Sequence, residues 1–200
     1  MPRTGGAPKR TEGSLLQRRE DCQRAEADMA RNIEIKAHVA DLTALAARAA
    51  AIADEGPVEI RQDDTFFACK QGRLKLRAFS AEEGELIFYR RADQPGPKQS
   101  FYVRTPTASP DSLREVLTLA YGQSGRIRKR RILFMAGRTR IHLDEVEDLG
   151  NFLELEVVLR EGEPLDVGVR EAEELMARLQ VQPTQLIDRA YVDLLAEKNR

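Results

Sequence analysis

Beyond Arg31 the chain runs in short segments where charged and apolar residues alternate. Asn32-Ile33-Glu34-Ile35-Lys36 and Arg73-Leu74-Lys75-Leu76-Arg77 are the cleanest cases. Glu85, Ile87, Tyr89 and Arg91 oppose Leu86 and Phe88, while Lys98, Ser100, Tyr102 and Arg104 oppose Phe101 and Val103. Arg140, His142 and Asp144 oppose Ile141 and Leu143, and Glu154 and Glu156 oppose Leu153, Leu155, Val157 and Leu159. Side chains two apart on a strand share a face, so each segment predicts a strand with one ionic and one apolar side. Helical spacing occurs in four places. Asp41 caps a run with Leu42, Leu45, Ala46, Ala49 and Ile52 on one face. Ser109 and Pro110 open a second run, with Leu113, Val116, Leu117 and Ala120 facing inward and Gly122 ending it. A third spans Val169 to Leu179, and a fourth follows Pro183 with Leu186, Ile187, Tyr191, Leu194 and Leu195. The pattern is that of an α+β protein built on a mostly antiparallel sheet with added helices and no internal repeat.

An ionic strand face ordinarily looks into solvent. Two features argue for the reverse. Glu154 and Glu156 are like charges on adjacent same-face positions, which repel unless a cation or a basic strand lies opposite. Four amphipathic helices also need apolar surface to cover, and the oily strand faces supply it. The ionic faces then look inward, as in a closed barrel with a polar lumen and helices outside. Unpaired charge in a dry core is prohibitive, whereas a hydrated tunnel holding a polyanion and metal ions avoids that cost.

Composition narrows the classes. Hydrophobic residues are 42% and charged residues 32% of the 200 residues, enough for a sizeable core. No run approaches the roughly 20 apolar residues of a membrane span, and the Arg-rich start lacks the apolar stretch of a secretory signal. Cys22 and Cys69 match no zinc or thioredoxin spacing, so a reducing, cytoplasmic setting without a disulfide is expected. Lys plus Arg (32) and Asp plus Glu (33) nearly cancel, so global charge gives no reason to expect a nucleic-acid partner. Residues 1–28 carry only Leu15 and Leu16 as bulky apolar neighbours and are expected to be a disordered extension before a domain over 29–200. Met29 is a plausible alternative start, and Glu12, Glu20 and Asp21 argue against a transit peptide.

The ionic faces hold two kinds of group. Lys36, Arg73, Lys75, Arg77, Arg91, Lys98, Lys129, Arg131 and Arg140 can surround phosphate oxygens. Glu34, Glu154, Glu156 and Asp144 are hard oxygen donors suited to magnesium or manganese. The histidines do not suggest zinc: His38 reads as structural and His142 as a cavity-lining candidate.

These residues resemble the CYTH, or triphosphate-tunnel, superfamily of class IV adenylyl cyclases, thiamine triphosphatases and inorganic triphosphatases. The resemblance spans about Met29 to Leu195. Its first strand reads Glu-x-Glu-x-Lys in the family; here Glu34 and Lys36 match and Asn32 replaces the first acid. Asp64-Thr65-Phe66-Phe67, Gly72 to Arg77, Gly96-Pro97-Lys98, Lys129 with Arg131, and Leu149 to Glu156 follow in the family's order. The resemblance implies an eight-stranded antiparallel tunnel, dependence on Mg2+ or Mn2+, and a triphosphate held by the basic lumen. It implies metal binding by Glu154 and Glu156 with Glu34 as a further metal-side acid, and catalytic roles for Lys36 and Glu34. Lys36 would bind phosphate or orient the nucleophile, and the other basic residues would neutralise charge on phosphate oxygens. On 127–133 both parities are basic, so Lys129 and Arg131 are preferred to Arg128 and Arg130 on the family pattern alone. Arg91 against Arg90 is a similar choice.

Three functions stay open: a class IV adenylyl-cyclase-like enzyme making cyclic AMP and pyrophosphate from ATP, a triphosphatase, and a non-catalytic polyphosphate or nucleotide sensor. The basic run Arg126 to Arg131 raises RNA binding as a weaker fourth. The expected partner is a small triphosphate compound, without nucleic acid or membrane, and a homodimer is left open.

Overall fold

The computed structural model describes residues 31–91 and 96–200, with Arg91 followed along its backbone only. The expected N-terminal extension, Met29 and Cys22 lie outside the described residues, as does the Arg91 side chain.

Eight strands form the body: β1 (Arg31–His38), β2 (Glu55–Phe67), β3 (Arg73–Ala78), β4 (Gly84–Arg91), β5 (Lys98–Thr107), β6 (Gln123–Ala136), β7 (Thr139–Val146) and β8 (Gly150–Val158). They close into a barrel in the order β1–β5–β4–β3–β2–β6–β7–β8. All neighbouring pairs are antiparallel. Helices α1 (Leu42–Ala50), α2 (Pro110–Tyr121), α3 (Leu165–Arg178) and α4 (Tyr191–Lys198) complete the chain. Among the described residues, no helix is long and apolar enough to cross a membrane.

The oily strand faces point outward under the helices. Ile33, Ile35 and Ala37 of β1, Ile141 and Leu143 of β7, and Leu153, Leu155 and Val157 of β8 pack with Leu45 and Ala49 of α1 and with Ala172 and Leu175 of α3. Each fully buried aliphatic side chain contributes on the order of 1.5–3 kcal/mol, so this layer is the main hydrophobic core. Asp41 starts α1 by accepting the Ala44 N–H at 2.9 Å. Gly168 lets α3 lie close on β1, since a Cβ there would fall 2.8 Å from Ile33 Cγ1 and 2.6 Å from Leu159 Cδ2. On the far side, Leu117 of α2 covers Phe67 and Leu76.

Two helices differ from expectation. α3 begins at Leu165, ahead of Val169. The stretch after Pro183 is not one helix: Pro183–Gln185 form a 3-10 turn, Leu186 bridges Ala37 of β1, and α4 starts only at Tyr191. This strap carries α4 to one end of the barrel. There Tyr191 and Val192 pack with Phe66, Ile127, Val146 and Phe152.

Candidate functional site

The ionic strand faces converge on one interior cavity of about 310 Å³. Its lining includes Glu34, Lys36, Gln62, Asp64, Lys75, Arg77, Lys129, Arg131, Arg140, His142, Glu154 and Glu156, with Ala190 and Tyr191 at the end carrying α4. Ile60, Phe79, Ile87, Tyr89 and Tyr102 form an apolar and aromatic part of the same wall.

The cations are organised by two buried aspartates. Lys75 and Arg77, two apart on β3, both point inward and meet Asp64 of β2. Lys75 Nζ donates at 2.7 Å, and Arg77 donates from Nε and Nη2 at 2.8 Å each. Lys129 and Arg131, two apart on β6, repeat the arrangement on Asp144 of β7. Lys129 Nζ donates at 2.9 Å and Arg131 from Nε and Nη2 at 2.6 Å each. Each aspartate thus holds two positive groups, leaving a net positive wall preorganised for an anion.

Burial would raise both aspartates, but the adjacent cations outweigh it. Arg77 and Lys75 hold Asp64, and Arg131 and Lys129 hold Asp144, well below the usual carboxylate range. Among the lysines, burial comes first and the neighbouring guanidinium second. Lys75, beside Arg77, is pushed down to about 8. Lys129, beside Arg131, is pushed down to about 7. Burial and then Arg131 likewise hold His142 well below its ordinary value. All three lysines lie over aromatic faces: Lys36 over Tyr191 at 4.2 Å, Lys75 over Phe66 and Tyr89 at 5.6 Å, and Lys129 over Tyr191 at 5.1 Å.

The acids gather on the β1–β8 side. Glu34 stands directly across from Glu156, and Lys36 from Glu154. Glu154 is committed to cations, with Lys36 Nζ at 3.4 Å and Arg131 Nη2 at 3.3 Å. Burial opposes its ionisation, but Lys36 and then Arg131 hold it well below the usual range. Glu156 accepts from Asn32 Nδ2 and from Arg140 Nη1, the latter at 3.1 Å. Asn32 Oδ1 is buried without a hydrogen-bond partner, as are Gln62 Oε1 and His142 Nδ1.

Among the described residues there is no ready cluster of three His, Cys, Asp or Glu at metal-ligand spacing. The facing Glu34 and Glu156 carboxylates with the orphaned Asn32 amide oxygen nonetheless fit a hard divalent ion that keeps other positions for water and phosphate oxygens.

Several sequence candidates lie elsewhere. Asp144 is fully buried and saturated by Lys129, Arg131 and the Tyr191 hydroxyl at 3.0 Å, so it anchors cations and does not offer an oxygen to a metal. Arg73 is outside the cavity lining and forms a double hydrogen bond to Asp193 of α4, at 3.0 and 2.7 Å. Lys98 is 2% exposed and donates to the Asp188 carbonyl at 3.1 Å, also outside the lining. Arg90 lies outside the cavity lining and over the Phe88 and Phe101 rings at 5.8 and 5.2 Å. His38 meets Phe152 edge-on at 5.4 Å. Asp64 and Tyr191 are among the lining residues that sequence reasoning did not assign to the site. Asp64 shares parity with Gln62 and Phe66, which could have flagged it; nothing in the helical spacing around Tyr191 could.

The basic run divides by parity. Lys129 and Arg131 point inward, while outside Arg126 pairs with Asp63 at 2.5 Å and Arg130 with Glu59 at 3.0 Å. Arg128 lies 3.7 Å from both Asp63 and Glu147. The outer arginines are thus matched by acids of the same sheet face.

Comparison with known proteins agrees with this architecture. An adenylate cyclase CyaB from Aeromonas hydrophila is 28% identical over 170 residues, covering 80% of this chain and 85% of that protein. A protein from Pyrococcus horikoshii has the same fold at a TM-score of 0.73 and 18% identity, covering 82% of this chain and 98% of that one. A putative adenylyl cyclase from Hippeastrum, described as having a dominant triphosphatase activity, superposes with a TM-score of 0.59 at 14% identity, covering 86% and 96%. The CYTH domain model matches residues 30–191, and the chain belongs to that family.

Proposed function

We propose that the protein binds a triphosphate compound with Mg2+ or Mn2+ in its lumen and cleaves it, with ATP the substrate and cyclic AMP and pyrophosphate the products. One observation carries this reading: two aspartate-anchored Lys-x-Arg pairs face a Glu34–Glu156 carboxylate pair across one cavity. A polyanion satisfies the first set, and the ion that travels with it satisfies the second. The apolar stretch Ile60, Phe79, Ile87 and Tyr102 gives an organic group somewhere to sit, which inorganic triphosphate would not need.

In this reading Lys75, Arg77, Lys129 and Arg131 bind phosphate oxygens and neutralise the charge that develops on the leaving pyrophosphate. Glu34, Glu156 and the Asn32 amide oxygen would hold the divalent ion, which supplies Lewis-acid polarisation of phosphoryl oxygens when bound. Lys36, between Glu34 at 3.9 Å and Glu154 at 3.4 Å, orients the α-phosphoryl group. The ribose 3′-hydroxyl gives its proton to lumen water, and its oxygen bonds to the α-phosphorus as the bridging oxygen departs with its electron pair in pyrophosphate.

Water attacking the terminal phosphorus instead, with ADP as the leaving group, makes the same cradle a triphosphatase. That is the second reading, prompted by the activity ascribed to the Hippeastrum protein. A product assay with ATP and manganese separates them: cyclic AMP with pyrophosphate is expected, and ADP with phosphate alone would move the assignment to the triphosphatase. Glu156→Gln and Glu34→Gln should each lower metal-dependent turnover by about 100-fold or more with the fold retained. Unchanged metal dependence in both would remove these carboxylates from the site.

A further inference from the structure

The first residue of α4 enters the barrel instead of covering it. Tyr191 is 6% exposed, and its ring lies beneath Lys36 Nζ at 4.2 Å and Lys129 Nζ at 5.1 Å. Its hydroxyl donates to Asp144 Oδ2 at 3.0 Å, the carboxylate that also takes Lys129 and Arg131. Burial, and next the Asp144 charge, keep that hydroxyl protonated well above the usual tyrosine range, so it remains a donor.

The ring is held from several sides. Ile187 N–H donates to the Lys36 carbonyl at 2.9 Å, the Arg73–Asp193 pair ties α4 to β3, and Phe152 lies 4.8 Å from the ring centroid.

The choice of an aromatic floor has a chemical consequence. Both lysines have carboxylates in reach, Glu154 at 3.4 Å for Lys36 and Asp144 at 2.9 Å for Lys129. A carboxylate occupies ammonium protons and competes with phosphate for them. A ring face attracts the same cation through its quadrupole without taking a lone pair to a proton, leaving N–H bonds free to be presented upward.

We propose that Tyr191 is a positioning residue of the triphosphate site, its ring holding the Lys36 and Lys129 ammonium groups toward the lumen. The proposal rests on the lumen being a triphosphate cradle.

The test compares the full-length wild type with Tyr191→Phe and Tyr191→Leu. Tripolyphosphate binding with magnesium is measured by calorimetry, ATP turnover by steady-state kinetics, and the lysine CεH2 resonances by NMR. Tyr191→Leu should weaken tripolyphosphate binding and raise KM about tenfold, the scale of partly desolvated cation–π contacts, with kcat changed by less than about threefold. Tyr191→Phe, which keeps the ring, should stay within about threefold of wild type on both. Two lysine CεH2 signals should be shifted upfield by the ring in wild type and Tyr191→Phe and should lose that shift in Tyr191→Leu. A folded Tyr191→Leu that binds like wild type overturns the proposal, as does equal loss in both variants. Should Tyr191→Leu not fold, a wild-type spectrum without shifted lysine signals overturns it by itself. Absence of tripolyphosphate binding by wild type would instead overturn the functional reading, with the lysine signals still reporting whether the ring holds both groups.

Discussion

Asp144 shows how one residue's surroundings decide its role. With a metal nearby it would be a ligand; with Lys129, Arg131 and Tyr191 on its oxygens it is the counter-charge for half of the cationic wall. Removing one member of a buried ionic group leaves the others uncompensated, so Asp144→Ala should destabilise the fold by about 3–5 kcal/mol. Equilibrium urea unfolding checks this, and a loss below about 1 kcal/mol would mean the cations find water instead. Glu154 behaves similarly on a smaller scale through Lys36 and Arg131, so the repulsion read from Glu154 and Glu156 along one strand is relieved by opposite strands. Glu34 and Glu156 stand opposite each other across strands, each with a cation of its own, Lys36 for Glu34 and Arg140 for Glu156. A single strand's alternation cannot reveal that register. The inward parity of Glu34, Lys36, Lys75, Arg77 and Glu156 was legible because each sits between aliphatic neighbours. Arg73 had the same parity, but its partner Asp193 comes from a distant helix, and no local pattern announces such a pair.

Strands with one oily face were readable from periodicity; β2 was not, for a physical reason. Around its middle, Gln62 and Asp64 face the lumen while Arg61 and Asp63 lie on the opposite, ion-paired side, so both faces are polar and the alternation vanishes. The start of α4 was hidden by the opposite problem: Leu186, Ile187, Tyr191 and Leu194 keep helical spacing across a segment that stays outside any α-helix as far as Ala190. The seating of α4 depends on β6 as well. A Cβ on Gly125 would fall 2.4 Å from Val192 Cγ2. Gly125→Ala should therefore overpack the junction at a cost of about 1–3 kcal/mol, and Val192→Ala in the same chain should restore most of it. Thermal melts of the two single variants and the double variant form the cycle. Strictly additive losses would show that the contact does not govern how the helix sits.

At the scale of the whole molecule, burial together with concentrated like charge makes stability and ligand binding respond oppositely to pH. Lys129 has an ordinary value of 10.5 and about 7 when folded, so between these the unfolded chain binds the extra proton. Stability from this group therefore rises with pH across that window; as pH drops from 10.5 it is lost down to about 7 and levels off below. Anion binding favours the protonated form and works the other way. At pH 8 tripolyphosphate should bind with net proton uptake and weaken as pH rises further, with Lys75, at about 8, adding to the effect. Calorimetry in buffers of differing ionisation enthalpy measures the uptake. Binding enthalpies independent of buffer would mean both lysines are already protonated in the free protein.

Tyr191 and the apolar cluster around it pack at the end of the barrel that carries α4, so on the proposed reading that end is the floor of the bore. A phosphate chain lying innermost, against Lys36, Lys75 and Lys129, is then the last thing able to leave, behind whatever nucleoside fragment fills the entrance. In the proposed cyclase reaction this orders departure, with cyclic nucleotide first and pyrophosphate afterwards. Pyrophosphate should accordingly inhibit competitively against ATP, whereas cyclic AMP should be a weak and noncompetitive product inhibitor. The reverse pattern would require a second exit through the floor.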